Sequence, residues 1–115
     1  MVTVEDAYGN TVTSSNASIT VAIGSNAGSG IVIVGGQSNT IGAPGGGNAI
    51  VSNRYNGIEV SGNVRGTVIA GNSIAGSGWR SGFNGIQLNA ATDLLVGGTV
   101  PGAGNTIVTS SGYGL

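Results

Sequence analysis

Chemistry in this chain has to come from carboxylates and guanidinium groups. The 115 residues include four acids, Glu5, Asp6, Glu59 and Asp93, and three arginines, Arg54, Arg65 and Arg80, with no histidine, lysine or cysteine. Imidazole bases, amine nucleophiles and thiolates are therefore excluded. Two carboxylates could still hydrolyse a glycosidic bond if they stood roughly 5–9.5 Å apart. Glu59 and Asp93 fall at the second and eighth places of successive repeats, which at ~3.3 Å per residue is about 20 Å of contour before corners shorten it. That spacing is too wide, and the chain is expected not to be an enzyme.

Cofactor chemistry is equally short of ligands. Gly45-Gly46-Gly47-Asn48-Ala49 lacks the aspartate that calcium-binding glycine repeats use. No phosphate-binding glycine motif with a following helix occurs, so the glycines read as turn residues and no cofactor is expected.

Binding has better candidates. The segment Gly76-Ser77-Gly78-Trp79-Arg80-Ser81-Gly82-Phe83 holds the single tryptophan beside an arginine. With Arg54, Tyr55 and Phe83 close by, Trp79 and Arg80 could form a sugar platform. The other reading is that Trp79 folds back over an apolar flank of a thin core.

These residues are positioned by a repeat. Asn56-Gly57-Ile58-Glu59-Val60 returns as Asn84-Gly85-Ile86-Gln87-Leu88 and, more weakly, as Ser29-Gly30-Ile31-Val32-Ile33. The glycines at 30, 57, 85 and 114 are 27, 28 and 29 residues apart. A period in this range marks a solenoid, in which each repeat buries its apolar face against its neighbours. The copy beginning at Gly114-Leu115 is cut off, which suggests an excerpt of a longer protein.

Counted from each glycine, Ile31, Ile58 and Ile86 form one inward column and Ile33, Val60 and Leu88 another. Val32, Glu59 and Gln87 point outward between them. Second strands are expected at Thr40-Ile41, Val68-Ile69 and Leu95-Val96. Third strands are expected after Asn48, Asn72 and Asn105, which should form a ladder at equivalent corners, with asparagine tolerating a left-handed backbone there. Strands paired with their counterparts one repeat away make a parallel β-helix of about three coils, each with three short strands. The same counting stacks Arg65 on Asp93 and the Tyr55 ring on the Phe83 ring.

Composition agrees with an all-β fold. Charged residues make up 6% of the chain, glycine occurs 24 times, and good helix formers are scarce. With no lysine and a net charge of −1, nucleic acid is not an expected partner. No run approaches the ~18 apolar residues of a membrane span, and the N-terminus lacks the pattern of a signal peptide. Residues 1–23 differ from the rest: Val2-Thr3-Val4, Asn10-Thr11-Val12-Thr13 and Ser18-Ile19-Thr20-Val21-Ala22-Ile23 predict short antiparallel strands. Residues 24–29 read as a linker and 30–115 as the repeat array. Asn16-Ala17-Ser18 matches a glycosylation acceptor, with a turn as the plainer reading.

The phrases Gly57-Ile58-Glu59-Val60-Ser61-Gly62-Asn63, Ile69-Ala70-Gly71-Asn72-Ser73-Ile74 and Val96-Gly97-Gly98-Thr99-Val100-Pro101-Gly102-Ala103-Gly104-Asn105-Thr106-Ile107 resemble repeats of bacterial secreted right-handed parallel β-helix proteins, the pectate lyase-like superfamily. The resemblance covers residues 30–115. It implies a right-handed coil and an extracellular or cell-surface location, in a superfamily that spans lyases, phage tailspikes and adhesive repeats. Val2-Thr3-Val4-Glu5-Asp6-Ala7-Tyr8-Gly9-Asn10 resembles, more weakly, a strand and turn of bacterial immunoglobulin-like domains. On this basis the chain is expected to be a noncatalytic structural or adhesive segment; its unpaired strand edges should in addition let it self-associate unless residues 2–23 cap one end. The alternative is the carbohydrate-binding part of a polysaccharide lyase or hydrolase, with polysaccharide as its partner.

Overall fold

The computed structural model describes residues 22–77, 82–108 and 111–115. Among them are twelve short strands and no helix. In chain order they are β1 (Ala22–Gly24), β2 (Ile31–Val34), β3 (Thr40–Ile41), β4 (Ala49–Val51), β5 (Ile58–Ser61) and β6 (Val64–Arg65). Then follow β7 (Val68–Ile69), β8 (Ser73–Ala75), β9 (Ile86–Leu88), β10 (Ala91–Thr92), β11 (Leu95–Val96) and β12 (Thr106–Val108). Every pairing is parallel, and each strand pairs with its counterpart one repeat away. The sheets run β1-β4-β8-β12, β2-β5-β9, β3-β7-β11 and β6-β10.

The expected inward columns are met residue for residue. Ile31 pairs with Ile58 and Ile58 with Ile86, while Ile33 pairs with Val60 and Val60 with Leu88. Period-two alternation turns these side chains to one face of their sheet, where Ile58, Val60 and Ile86 are buried with Ile50, Val64, Ile69 and Ile74 from the other sheets. Gly30 and Gly57, which open two of the phrases, have a packing reason. A Cβ on Gly57 would stand 2.5 Å from Ile74 Cγ2 and 2.6 Å from the Gly85 carbonyl oxygen, so the chain enters β5 too close to the facing sheet for any side chain.

Three expectations are corrected. Three strands per repeat were expected, but the second and third repeats each hold four. The additional strands β6 and β10 exist because Val64 is buried and Ala91 packs against the core, giving the cross-section another side. Val64-Arg65 and Ala91-Thr92 share no residue type, unlike the equally short Thr40-Ile41, Val68-Ile69 and Leu95-Val96, so this side left no recurring pair to read. The run ending at Ile23 was expected to pair antiparallel, yet β1 lies parallel to β4, with Ile23 opposite Ile50. The preceding predicted strands and the Asn16 motif lie outside the described residues.

The third correction is the register of Arg65. It pairs with Thr92, not Asp93. Three residues separate Val60 from Val64, but only two, Asn89 and Ala90, separate Leu88 from Ala91, so the spacing drops from 28 to 27 at this corner. Asp93 falls instead in the column of Ser38 and Gly66. All three have left-handed backbone, with φ of 54°, 59° and 54°. Here a short polar side chain is accepted in place of glycine.

The asparagine ladder is present. Asn48 donates its backbone N–H and side-chain amide to Asn72 Oδ1 at 3.0 and 2.9 Å, and Asn72 donates the same pair to Asn105 Oδ1, both at 3.0 Å. None of the three has a positive φ; the left-handed residue at this corner is Gly71, at 69°. Asparagine is here for its amide and not for an unusual backbone.

Candidate functional site

The candidate binding corner lies between β4 and β5, and it is shaped by an internal polar column. Ser52 turns the chain through a φ of 53°, after which Asn53 points inward and is completely buried. Its Oδ1 accepts from the Asn26 side chain at 2.8 Å, and its Nδ2 reaches the Ile23 carbonyl and Ser77 Oγ, both at 3.4 Å. The segment expected to be a linker is thereby tied to the array. With Asn53 held inside, the following Arg54 and Tyr55 lie half-buried, and their N–H groups donate to the Asn26 and Gly28 carbonyls at 3.0 and 3.1 Å.

Tyr55 and Phe83 stack as expected, with ring centroids 4.5 Å apart and planes inclined by 28°. Parallel neighbours one repeat apart bring ring-bearing residues to this distance, at which offset packing is favourable. Gly112 ends the stack: its N–H donates to the Phe83 carbonyl at 2.9 Å and it carries no ring. The Arg54 guanidinium carbon stands 5.8 Å from the Tyr55 centroid, within cation–π range. Its Nε is buried, with no hydrogen-bond partner among the described residues. Both rings are half-buried, so the corner is neither sealed core nor an open shelf. Of the five sequence candidates, Arg54, Tyr55 and Phe83 come together; Trp79 and Arg80 lie outside the described residues.

Among the described residues the corner holds no carboxylate. Glu59 is half-buried on the outward face of β5, accepting from Ser29 Oγ at 2.8 Å and Asn56 Nδ2 at 3.3 Å. Asp93 sits beyond β10 in the left-handed column. Among the described residues no group of three or more acidic, histidine or cysteine side chains could hold a metal ion, and no helix is long and apolar enough to cross a membrane. A mostly apolar cavity of about 480 Å³ opens at the first repeat, lined by Ile23, Ile31, Ile33 and Ile41.

Sequence reasoning missed Asn53, the residue that positions Arg54 and Tyr55. Its only signal was its recurrence after a strand, opposite Asn26 one repeat earlier. Comparison with known proteins finds no matching family model, no similar curated protein and no similar solved structure.

Proposed function

We propose that residues 30–115 form a right-handed parallel β-helix serving as a noncatalytic structural or adhesive segment of a secreted bacterial surface protein. The reading is supported above all by the one-repeat parallel register held across four sheets. A stack of this kind extends by adding repeats and presents regular outward faces, which suits a stalk. Contact between copies belongs to the same reading. Among the described residues β2 pairs only with β5, and its Val32 and Val34 side chains are 53% and 74% exposed, so this end of the sheet is where another strand could add.

The test is incubation of the protein with a panel of acidic and neutral polysaccharides, following both retention and new chain ends. No cleavage is expected with any of them; release of unsaturated or reducing ends would overturn the noncatalytic reading. Extracellular location is tested by protease accessibility of the parent protein on intact cells.

A second reading, carbohydrate binding, is favoured by one observation: two stacked rings beside an arginine whose Nε has no partner among the described residues. Tyr55→Ala separates the two. On the structural reading the variant melts at a lower temperature and any polysaccharide affinity is unchanged. Loss of affinity at unchanged stability would favour the binding reading.

A further inference from the structure

The corner between β3 and Asn48, and its counterparts after β7 and β11, change length from repeat to repeat. Six residues separate Ile41 from Asn48, two separate Ile69 from Asn72, and eight separate Val96 from Asn105. The two longer corners carry both prolines of the chain, Pro44 and Pro101, each four residues ahead of its ladder asparagine and each followed by glycine. Proline fixes φ at about −65° in the second place of a turn, and a left-handed glycine in the third completes a type II turn. Gly45 and Gly102 have φ of 69° and 80°. The Gly46 N–H closes the first turn on the Ala43 carbonyl at 3.0 Å, and the Ala103 N–H closes the second on the Val100 carbonyl at 3.1 Å. The same turn is thus built at the same place in the first and third repeats, whereas the middle repeat passes from Ile69 to Asn72 through Ala70 and Gly71 alone.

We propose that these two turns form a clasp, which joins the first repeat to the third over the short corner of the middle one and seals Asn72 beneath it. Strands two repeats apart stand about 10 Å from one another, beyond the reach of any hydrogen bond. The turns meet all the same: the Gly45 N–H donates to the Gly102 carbonyl at 3.1 Å. They are close enough that a Cβ on Gly102 would lie 2.8 Å from the Gly45 nitrogen and 3.2 Å from its Cα. Beneath them the Gly71 N–H donates to the Ala103 carbonyl at 3.0 Å, and a Cβ on Gly71 would collide with the Ala43 carbonyl oxygen. Gly42 and Gly47, at the two ends of the first loop, pass over Asn72 so closely that a Cβ on them would lie 2.5 Å from its Oδ1 and 2.6 Å from its nitrogen. Ala70, Asn72 and Ala103 are buried as a result.

Exposed loops rich in glycine and small residues are ordinarily where a chain opens locally and is nicked. Here Pro44 and Pro101 are exposed, but each loop is tied at its tip to a repeat with which it shares no strand. Neither can open without releasing the other. The prolines favour the closed state, since a turn already restricted before contact loses less freedom on making it. The clasp therefore closes the middle step of the Asn48–Asn72–Asn105 ladder to water. It belongs to the stack itself and is the same for a stalk or a binding module.

The test is amide hydrogen exchange of the full chain, read residue by residue by nuclear magnetic resonance, together with limited digestion by a protease of broad specificity. In the unaltered chain the Gly45 N–H, although on an exposed turn, should exchange as slowly as the Gly71 N–H, and residues 42–47 should resist cleavage. Gly102→Ala drives a Cβ into Gly45 and should speed exchange at Gly45, two repeats away, about tenfold. It should also admit cleavage within residues 42–47 while the Ile58 N–H in the core keeps its rate. Gly104→Ala, in the same loop but with open space around its Cβ, should change neither. Three results would each overturn the clasp: exchange at Gly45 in the unaltered chain as fast as in an unfolded peptide, residues 42–47 equally protected in Gly102→Ala, or equal acceleration at Ile58 and Gly45.

Discussion

Two corners of the repeat treat changes in chain length in opposite ways. Ahead of β4, β8 and β12, consecutive repeats differ widely: Ile50 is 24 residues from Ile74, and Ile74 is 33 from Ile107, yet all three remain in register. The Asn48, Asn72 and Asn105 amides fix where each strand begins, and surplus residues are expelled into exposed loops such as the one around Val100 and Pro101. Between β5 and β6, and again between β9 and β10, no buried side chain measures the distance; the side-chain bond there, from Gln87 Nε2 to Asn89 Oδ1 at 3.1 Å, is exposed and stays within one turn. Gly62, Asn63 and Ala90 are exposed and left-handed, and one residue is lost without any bond resisting it. A buried amide that satisfies backbone groups above and below acts as a ruler; a solvated turn does not.

The largest effect should come from removing the ruler. Asn72 is 1% exposed, and besides its ladder bonds it donates to the Ile41 and Ala70 carbonyls at 2.9 and 3.1 Å. Asn72→Ala leaves several of these groups unpaired and should cost about 3 kcal/mol, seen as a lower denaturant midpoint. A loss below about 1 kcal/mol would mean that the apolar columns hold the register unaided. The unruled corner should respond in the other direction. Ala90 sits at a φ of 50°, strained for a residue with a Cβ, so Ala90→Gly should raise stability by up to about 1 kcal/mol. Destabilisation there would show that the missing residue had already been accommodated without strain.

The smallest effect concerns the shifted register itself. With Arg65 opposite Thr92, Arg65→Ala should change stability by less than about 0.5 kcal/mol and show little salt dependence. A double-mutant cycle with Asp93→Ala should give no coupling. Coupling approaching 1 kcal/mol would restore the direct stack that counting from the glycines predicts.

The legible parts of the fold were those where one residue type recurs under one constraint. The isoleucine columns, the stacked Tyr55 and Phe83 and the Asn48–Asn72–Asn105 ladder all belong to this class, because burial or an amide bond demands the same chemistry in every repeat. The slip at Ala90 was not legible, since a left-handed turn accepts serine, glycine, alanine, asparagine and aspartate alike and leaves no signature to count. Nor was the side made by β6 and β10, where Val64-Arg65 and Ala91-Thr92 repeat no residue type. In the candidate site, the ring stack followed from spacing, whereas the role of Asn53 depended on an inward turn that no pattern marked.

The pairing distance also has a consequence for how the chain acquires its structure. Every strand partner lies 24 to 33 residues away, and no pairing joins the first repeat directly to the last among the described strands. Parallel sheets are ordinarily slow to form because their strands meet across long stretches of chain. Here each closure spans one repeat and costs about 3 kcal/mol of loop entropy, whichever repeat is being added. Growth can therefore start wherever two neighbouring repeats first hold together and spread outward by identical steps. The middle repeat, which carries Ile58, Val60, Val64, Ile69 and Ile74, has the densest burial and is the natural seed.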